Sequence, residues 1–196
     1  VLRTKQRYKV SVYSAKAGSL TTLYERSLTD AYSNLGNPVT IKNKYGKSVI
    51  ATLNSGRSVL MNNTTGSSDK GDLPYLSIYN LDTKANEIIW RSKDDCFEYV
   101  VDVLDAATLQ IITRRETENE VPNYFLKSIK ENTSVAITNF SNPYASMEGV
   151  TKQKIKYKRA DGIDLTGDLY LPKGYNKEKD GPLPTLLWAY PREFTS

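Results

Sequence analysis

The residues best suited to chemistry lie near the end of the sequence, where Tyr190, Arg192 and Glu193 follow a run of apolar residues. A phenol O–H can donate a hydrogen bond to a developing oxyanion, and a guanidinium can bind a carboxylate through two parallel hydrogen bonds. Each also has a more ordinary role: Tyr190 as a strand-end aromatic with its hydroxyl in water, and Arg192 with Glu193 as a local ion pair. The residue types permit oxyanion stabilisation and acidic-ligand binding, but taken alone they favour the ordinary roles.

Three other groups have spacings that occur in functional sites. Lysines alternate along 152–158, which suits phosphate binding on one strand face but also a solvated edge strand that lysines protect from pairing. Glutamates at 116–120 could hold calcium or a substrate amino group, and a solvated loop is the default. A Ser-x-x-Lys spacing at Ser67 and Lys70 lies in a polar loop, whereas Ser-Lys chemistry needs a buried helical turn.

Two absences exclude whole classes of site. The sequence has no histidine, and Cys96 is its one cysteine. A Ser-His-Asp triad, a Cys-His pair and a zinc site of histidine and cysteine ligands all need residues that are missing. We expect no cofactor and no metal, and we interpret Cys96 as a small buried hydrophobic residue whose acidic neighbours disfavour a thiolate.

Charge and hydropathy set expectations for partners and location. The net charge of +5 is dispersed along the chain, so we expect no nucleic-acid partner. No apolar run is long enough to span a membrane, so we expect no membrane partner. The sequence begins at Val1 rather than at a methionine, which suggests a missing upstream segment, and its first residues lack a signal peptide pattern. Location stays open, with the periplasm or secretion favoured over the cytoplasm.

The elements that would position these residues are mostly strands. The segments VSVYSAKAGSLTTLYERS (10–27) and LSIYNLDTKANEIIWRS (76–92) share one plan: a strand, a polar turn, and a second strand ending in an aromatic residue and Arg-Ser. A fainter third copy covers 123–140. Further strand pairs are expected before the second and third hairpins, at 47–62 and 97–116.

Two strands followed by a hairpin make a four-stranded unit, which is the plan of a β-propeller blade. The fold class is therefore predicted as mainly β, a partial β-propeller of about two and a half four-stranded blades. Such units cover their faces by stacking on neighbours, so we expect this chain to be part of a larger whole. Unpaired sheet edges also make a homo-oligomer plausible.

The pattern changes near residue 150. The segment 152–172 reads as a hairpin around an Asp-Gly turn, and TLLWAY (185–190) reads as a strand buried on both faces, as in a parallel α/β sheet. We therefore predict propeller blades over 1–148 and the first strands of an α/β domain over 149–196.

At this point the residues resemble a known family. The segments DGIDLTGDLYLPKGY and DGPLPTLLWAYPREF resemble the start of the α/β-hydrolase domain of prolyl oligopeptidase family serine peptidases, in the glutamyl-endopeptidase and dipeptidyl-aminopeptidase-like branch. RRETENEVPNYFL (114–126) resembles that branch's last propeller blade. The resemblance covers nearly the whole chain, and WAYPREF is its most specific part.

The resemblance implies a peptidase that acts on peptide substrates by acyl transfer, with a triad that would lie after Ser196. It places the oxyanion-stabilising tyrosine at Tyr190, and Arg192 would line the same cleft as a substrate-binding candidate. Without histidine, this chain alone is expected to be inactive. The alternative is a non-catalytic, propeller-like module that binds a protein or a glycan.

Overall fold

A computed structural model describes residues 6–189, about half of which form antiparallel β-strands. In chain order the strands are β1 (Arg7–Ser14), β2 (Ser19–Ser27), β3 (Asn37–Pro38), β4 (Thr40–Lys42), β5 (Ser48–Ile50), β6 (Thr52–Leu53), β7 (Ser58–Asn63), β8 (Ser67–Ser68), β9 (Gly71–Asp72), β10 (Tyr75–Asn80), β11 (Asn86–Arg91), β12 (Phe97–Asp105), β13 (Gln110–Glu116), β14 (Asn123–Ser128), β15 (Thr133–Ala136), β16 (Thr151–Lys158) and β17 (Asp164–Leu171). The helical elements are a short helix, α1 (Lys177–Asp180), and 3₁₀ turns at Asn54–Gly56 and Ala145–Met147. In this part of the chain no helix has the length and apolar character needed to cross a bilayer.

The three predicted hairpins are confirmed as the antiparallel pairs β1–β2, β10–β11 and β14–β15. The first two share more than a strand pattern, because each carries a bulge at the matching place: between Val10 and Ser11, and between Leu76 and Ser77. A bulge adds local twist at a defined residue. The internal repeat seen in the sequence is therefore a repeat of backbone geometry as well.

The second sheet has the order β11–β10–β7–β3, with β6 also paired to β7. The predicted strand over 47–53 divides in two, because β5 pairs with β4 while β6 pairs with β7. Val39 N donates to Leu60 O and Leu60 N donates to Ala51 O, so β3 and β6 meet opposite Leu60. They act as one edge strand from which the hairpin β4–β5 projects.

The third sheet is a simple meander in the order β12–β13–β14–β15. Its register follows directly from the short connections between consecutive strands. The strand pairs expected before the second and third hairpins thus join those hairpins in sheets, as the four-stranded plan required.

Two apolar clusters pack these sheets into a stack. Leu60 and Leu76 of the second sheet belong to one buried cluster with Val100, Val103 and Ile111 of the third. On the opposite face, Val59, Met61 and Tyr79 form a second cluster, against which residues of the β1–β2 hairpin pack, among them Leu23 and Tyr24. Because side chains alternate along a strand, β7 supplies residues to both clusters.

Polar contacts also join the layers. Asn62 Nδ2 donates to Val100 O at 2.9 Å, which links the second sheet to the third. Tyr79 Oη donates to Leu23 O at 3.1 Å, which links the second sheet to the first hairpin. Each bond pairs a polar group at a packed surface, where an unpaired group would be unfavourable.

The segment after residue 150 only partly follows its prediction. The hairpin β16–β17 forms around Asp161 and Gly162, as expected. Residues 185–189 are irregular, however, and the side chains of Leu186, Leu187 and Trp188 are 90%, 87% and 85% exposed. The predicted buried strand is wrong for these residues, because such a strand needs flanking strands to pair with and none of residues 6–189 pairs with it.

A buried ion pair stabilises the third sheet where it faces the second. Lys127 Nζ lies 2.8 Å from Glu98 Oε1, and the two side chains are only 17% and 5% exposed. Thr113 Oγ1 donates to the same carboxylate oxygen, and Lys127 Nζ lies 5.7 Å from the centre of the Trp90 ring, which belongs to β11. The pair's hydrogen bonds are satisfied in place, but removal of one partner would leave the other charge buried.

We predict that Lys127→Met lowers the free energy of unfolding by about 3 kcal/mol, because Glu98 would lose its countercharge. Urea unfolding followed by circular dichroism measures this. Lys156→Met on exposed β16 is the matched control and should change stability by less than about 0.5 kcal/mol. The double variant Glu98→Leu with Lys127→Met should recover most of the lost unfolding free energy. Equal losses of unfolding free energy in Lys127→Met and Lys156→Met would contradict the prediction.

Candidate functional site

The residues that the sequence singled out for catalysis and substrate binding are not in the described part of the chain. Tyr190, Arg192 and Glu193 all lie outside residues 6–189. Their roles therefore stay predictions. The structure does describe the residues that immediately precede them. Three of these, at 186–188, have exposed apolar side chains, which is unusual for a protein surface.

A cleft of about 330 Å³ lies beside the loop from β13 to β14, and we call it the Arg115 cleft. The Arg115 guanidinium lies over the Phe125 ring at 4.6 Å, and its Nη2 lies 3.0 Å from Glu120 Oε2. Asn119, Asn139 and other amide side chains line the opening. The cleft offers stacking surface and neutral hydrogen-bonding groups, while its one cation already has an acidic partner.

Asn123 builds this cleft by joining two segments of the chain. Its Oδ1 accepts hydrogen bonds from Thr138 Oγ1 at 2.8 Å and Phe140 N at 2.7 Å, and its Nδ2 donates to Phe140 O at 3.3 Å. The side chain thus acts as a clamp between β14 and the segment after β15. The sequence could not show this role, because it depends on residues about 15 positions further along the chain.

Two of the three glutamates at 116–120 have ordinary partners. Glu116 lies 3.1 Å from Arg114, and Glu120 pairs with Arg115. Among the described residues no group of three or more acidic, cysteine or histidine side chains could hold a metal ion. The default interpretation of this segment as a solvated loop agrees with its ion pairs.

The lysines of β16 are solvated, and two have acidic partners on β17. Lys152 lies 3.1 Å from Asp168, and Lys158 lies 2.7 Å from Asp164. The hydrogen bond that Lys152 donates to Asp168 raises the pKa of Lys152. This pattern favours the edge-strand interpretation over a phosphate-binding face.

The Ser-x-x-Lys spacing lies in a two-stranded turn formed by β8 and β9. Ser67 Oγ donates to Asp72 at 3.2 Å, Ser68 Oγ donates to Gly71 O, and the Lys70 side chain is exposed. The buried helical turn that Ser-Lys chemistry needs is not present at these residues.

Cys96 is half-buried beside Ser92. Its Sγ lies 4.0 Å from Ser92 Oγ. Burial raises the pKa of the Cys96 thiol, the hydrogen bond with Ser92 opposes that rise, and the nearby charge of Glu98 adds to it. Cys96 is therefore only partly buried and not the buried hydrophobic residue that was expected, while its raised pKa agrees with the expectation of little thiolate.

Comparison with known proteins gives one consistent result. No family model matches the sequence. A protein of Oryza sativa subsp. japonica named "Probable glutamyl endopeptidase, chloroplastic" is 36% identical over 185 residues, and one of Arabidopsis thaliana with the same name is 37% identical over 187 residues.

The chain is similar to proteins named as peptidases. The alignments cover 89% of this chain but only 20% and 19% of the two relatives, so it spans about a fifth of their length. The expectation of a peptidase-related sequence is thereby supported. The serine type, the branch of the family and the positions of catalytic groups do not follow from these names.

We predict that Cys96 reacts with iodoacetamide at pH 8 more slowly in the folded chain than in urea, by several-fold. Its raised pKa leaves less thiolate at that pH than an ordinary thiol has, and burial limits access. Mass spectrometry of timed samples measures the rate, with glutathione as the reference thiol. Faster alkylation of the folded chain would contradict the assignment.

Proposed function

We propose that this chain is a segment of a serine peptidase of the prolyl oligopeptidase family, which hydrolyses peptides by acyl transfer. The observation that carries the proposal is the similarity to two proteins named glutamyl endopeptidase over 89% of the chain. The resemblance of WAYPREF and its neighbours to the start of a hydrolase domain points in the same direction. An endopeptidase that acts next to glutamyl residues is favoured over a dipeptidyl aminopeptidase by the relatives' names.

The stacked sheets support a propeller origin for residues 1–148. A propeller blade is a four-stranded antiparallel meander whose faces are covered by neighbouring blades. The meander β12–β15 has this plan, and the second sheet has it once β3 and β6 are taken as one strand. The hairpin β1–β2 would be the outer half of another blade, because it has a β-bulge at the same position as the hairpin β10–β11.

The exposed apolar side chains support a hydrolase origin for residues 149–196. Leu186, Leu187 and Trp188 have the composition of a central strand but no cover among the described residues. Neighbouring strands and helices of a catalytic domain would supply that cover. In this proposal Tyr190 follows the strand as an oxyanion donor and Arg192 lines the substrate cleft.

The chain by itself is expected to lack peptidase activity, since it has no histidine to act as the usual general base. The triad would come from later residues of a longer protein. We propose a peptide substrate, no cofactor, no nucleic-acid partner and no membrane partner, and association through exposed sheet edges is a further proposal. A periplasmic or secreted location also stays a prediction, while the relatives are named chloroplastic.

The alternative is a non-catalytic, propeller-like module that binds a protein or a glycan. The Arg115 cleft favours it, because an aromatic ring, an arginine and several amides are the usual groups of such surfaces. The segment 184–196 separates the two functions. A binding module has no use for an apolar segment that leads into an oxyanion loop.

We predict that a fluorophosphonate probe labels the longer protein that contains this sequence, at a serine beyond residue 196. The 196-residue chain should not be labelled and should not cleave a glutamate-containing peptide. Labelling and cleavage by the chain alone would contradict the proposal. Absence of labelling in the longer, folded protein would favour the binding module.

We also predict that Tyr190→Phe in the longer protein lowers kcat by about 10²–10³ and leaves KM almost unchanged, as expected for loss of one oxyanion donor. Steady-state hydrolysis of an internally quenched peptide measures both constants. Tyr175→Phe is the control, because Tyr175 Oη donates to Gly181 O outside the proposed site. A kcat within about twofold of the parent value would assign Tyr190 to a structural role.

A further inference from the structure

A second cleft lies where the end of β2 meets the loop after β7, and we call it the Arg26 cleft. Its volume is about 330 Å³. It is lined by one cation, Arg26, by hydroxyl or amide side chains at Thr29, Asn34, Thr65 and Ser67, and by apolar residues such as Leu28. No lining residue is acidic, so the composition suits an anionic ligand.

The Arg26 guanidinium is held in place from two sides. Its Nη1 donates to Ser27 O at 2.9 Å and to Asp30 O at 3.1 Å. Its Cζ lies 5.2 Å from the centre of the Tyr8 ring on the neighbouring strand. A cation that is positioned before a ligand arrives loses little further entropy on binding.

This guanidinium also has unused hydrogen-bonding capacity. Its Nε is buried and has no acceptor among the described residues. No carboxylate in residues 6–189 forms an ion pair with Arg26. A buried N–H without an acceptor is unfavourable, and a carboxylate is the partner whose geometry fits a guanidinium best.

The acidic side chains near the cleft are already engaged. Asp30 Oδ1 accepts from Ser33 N at 3.0 Å, and Asp72 accepts from Ser67 Oγ. Hydrogen bonds from Ser33 hold the pKa of Asp30 below its usual value, and the charge of Arg26 has a smaller effect in the same direction. These carboxylates therefore leave the guanidinium open to a ligand.

On the opposite wall of the cleft, the backbone of Thr65 and Gly66 is held by the Asn63 side chain. Asn63 Oδ1 accepts from Thr65 N at 3.1 Å and Gly66 N at 2.8 Å. Gly66 has a φ of +59°, and a Cβ at this position would overlap the carbonyl group of Leu73. The Thr65 hydroxyl is exposed and makes no hydrogen bond within the described residues, so it is free to donate to a ligand.

The internal repeat provides a comparison within the molecule. Arg91 of β11 lies 5.0 Å from the Tyr75 ring on its neighbouring strand, as Arg26 does from Tyr8. Arg91 is exposed and lines neither the Arg115 cleft nor the Arg26 cleft. The stacked Arg–Tyr pair therefore belongs to the hairpin design, whereas the cleft is particular to Arg26.

We propose that the Arg26 cleft is a subsite that binds a carboxylate of a peptide, with Arg26 as the cation and Thr65 as a hydrogen-bond donor. The choice of a peptide rests on the function proposed above. The carboxylate comes from an acidic side chain or from a chain terminus, which share this chemistry. The subsite is a binding site and takes no part in bond cleavage.

The test is a binding titration on the full chain, followed by NMR signals of the Thr65 and Gly66 amides. Three peptides serve as probes: a blocked pentapeptide with a central glutamate, the same peptide with glutamine, and an alanine pentapeptide with a free carboxyl terminus. We expect the glutamine peptide to bind at least about tenfold more weakly than one of the two carboxylate peptides. The carboxylate peptide that binds better identifies the source of the ligand.

Variants assign the effect to the cleft. Arg26→Gln should remove the preference for a carboxylate, and Arg91→Gln, the matched control in the repeat, should retain it. Because Arg26 also supports its own turn, Thr65→Val provides a second variant on the other wall and should weaken binding by several-fold. Circular dichroism confirms that each variant is folded.

Equal binding of the glutamate, glutamine and free-terminus peptides would overturn the proposal. An equal loss of the preference for a carboxylate in Arg26→Gln and Arg91→Gln would also overturn it. Unchanged peptide binding in a folded Thr65→Val variant would do the same. Binding is measured without catalysis, so a failure of the peptidase proposal leaves these outcomes unchanged. Conversely, an active peptidase whose peptide does not contact this cleft would overturn this inference alone.

Discussion

The two-sided burial of β7 is the constraint on which the described structure depends. Residues Ser58–Met61 are all buried, yet successive side chains point to opposite faces of the sheet. Leu60 therefore packs on the third sheet while Val59 and Met61 face the first hairpin. Truncation of a residue such as Leu60 would open a cavity between sheets, typically at a cost of about 2–5 kcal/mol. The stacking of the layers therefore depends on this strand.

The outer surfaces of the stack are less complete than its interior. On the face of the third sheet away from the second, Val101, Leu104, Leu126 and Val135 are exposed. The apolar side chains at 186–188 are exposed as well. Packed inner faces and apolar outer faces fit the proposal that this chain is a segment of a larger protein, and the matched relatives are about five times longer.

The arginines of the two clefts differ in whether they have an acidic partner, and this difference decides what each cleft could bind. Arg115 is paired with Glu120, so the Arg115 cleft presents stacked and neutral groups. Arg26 keeps a buried N–H without an acceptor and has no acidic lining residue. An acidic peptide group would therefore favour the Arg26 cleft.

The sequence by itself determined the strand pattern, the three hairpins and the four-stranded plan, because alternation and turn residues are local signals. It also determined what is missing, since a chain without histidine carries no usual triad. Only the tertiary structure decided that β3 and β6 share one edge, that Asn123 clamps Phe140 and that Arg26 lines a cleft. These features depend on contacts between residues far apart in the chain, which no local pattern encodes. The strand expected over 185–190 does not form over residues 185–189 for a related reason. These residues have the composition of a central strand, but a central strand exists only when its neighbours supply hydrogen bonds and cover.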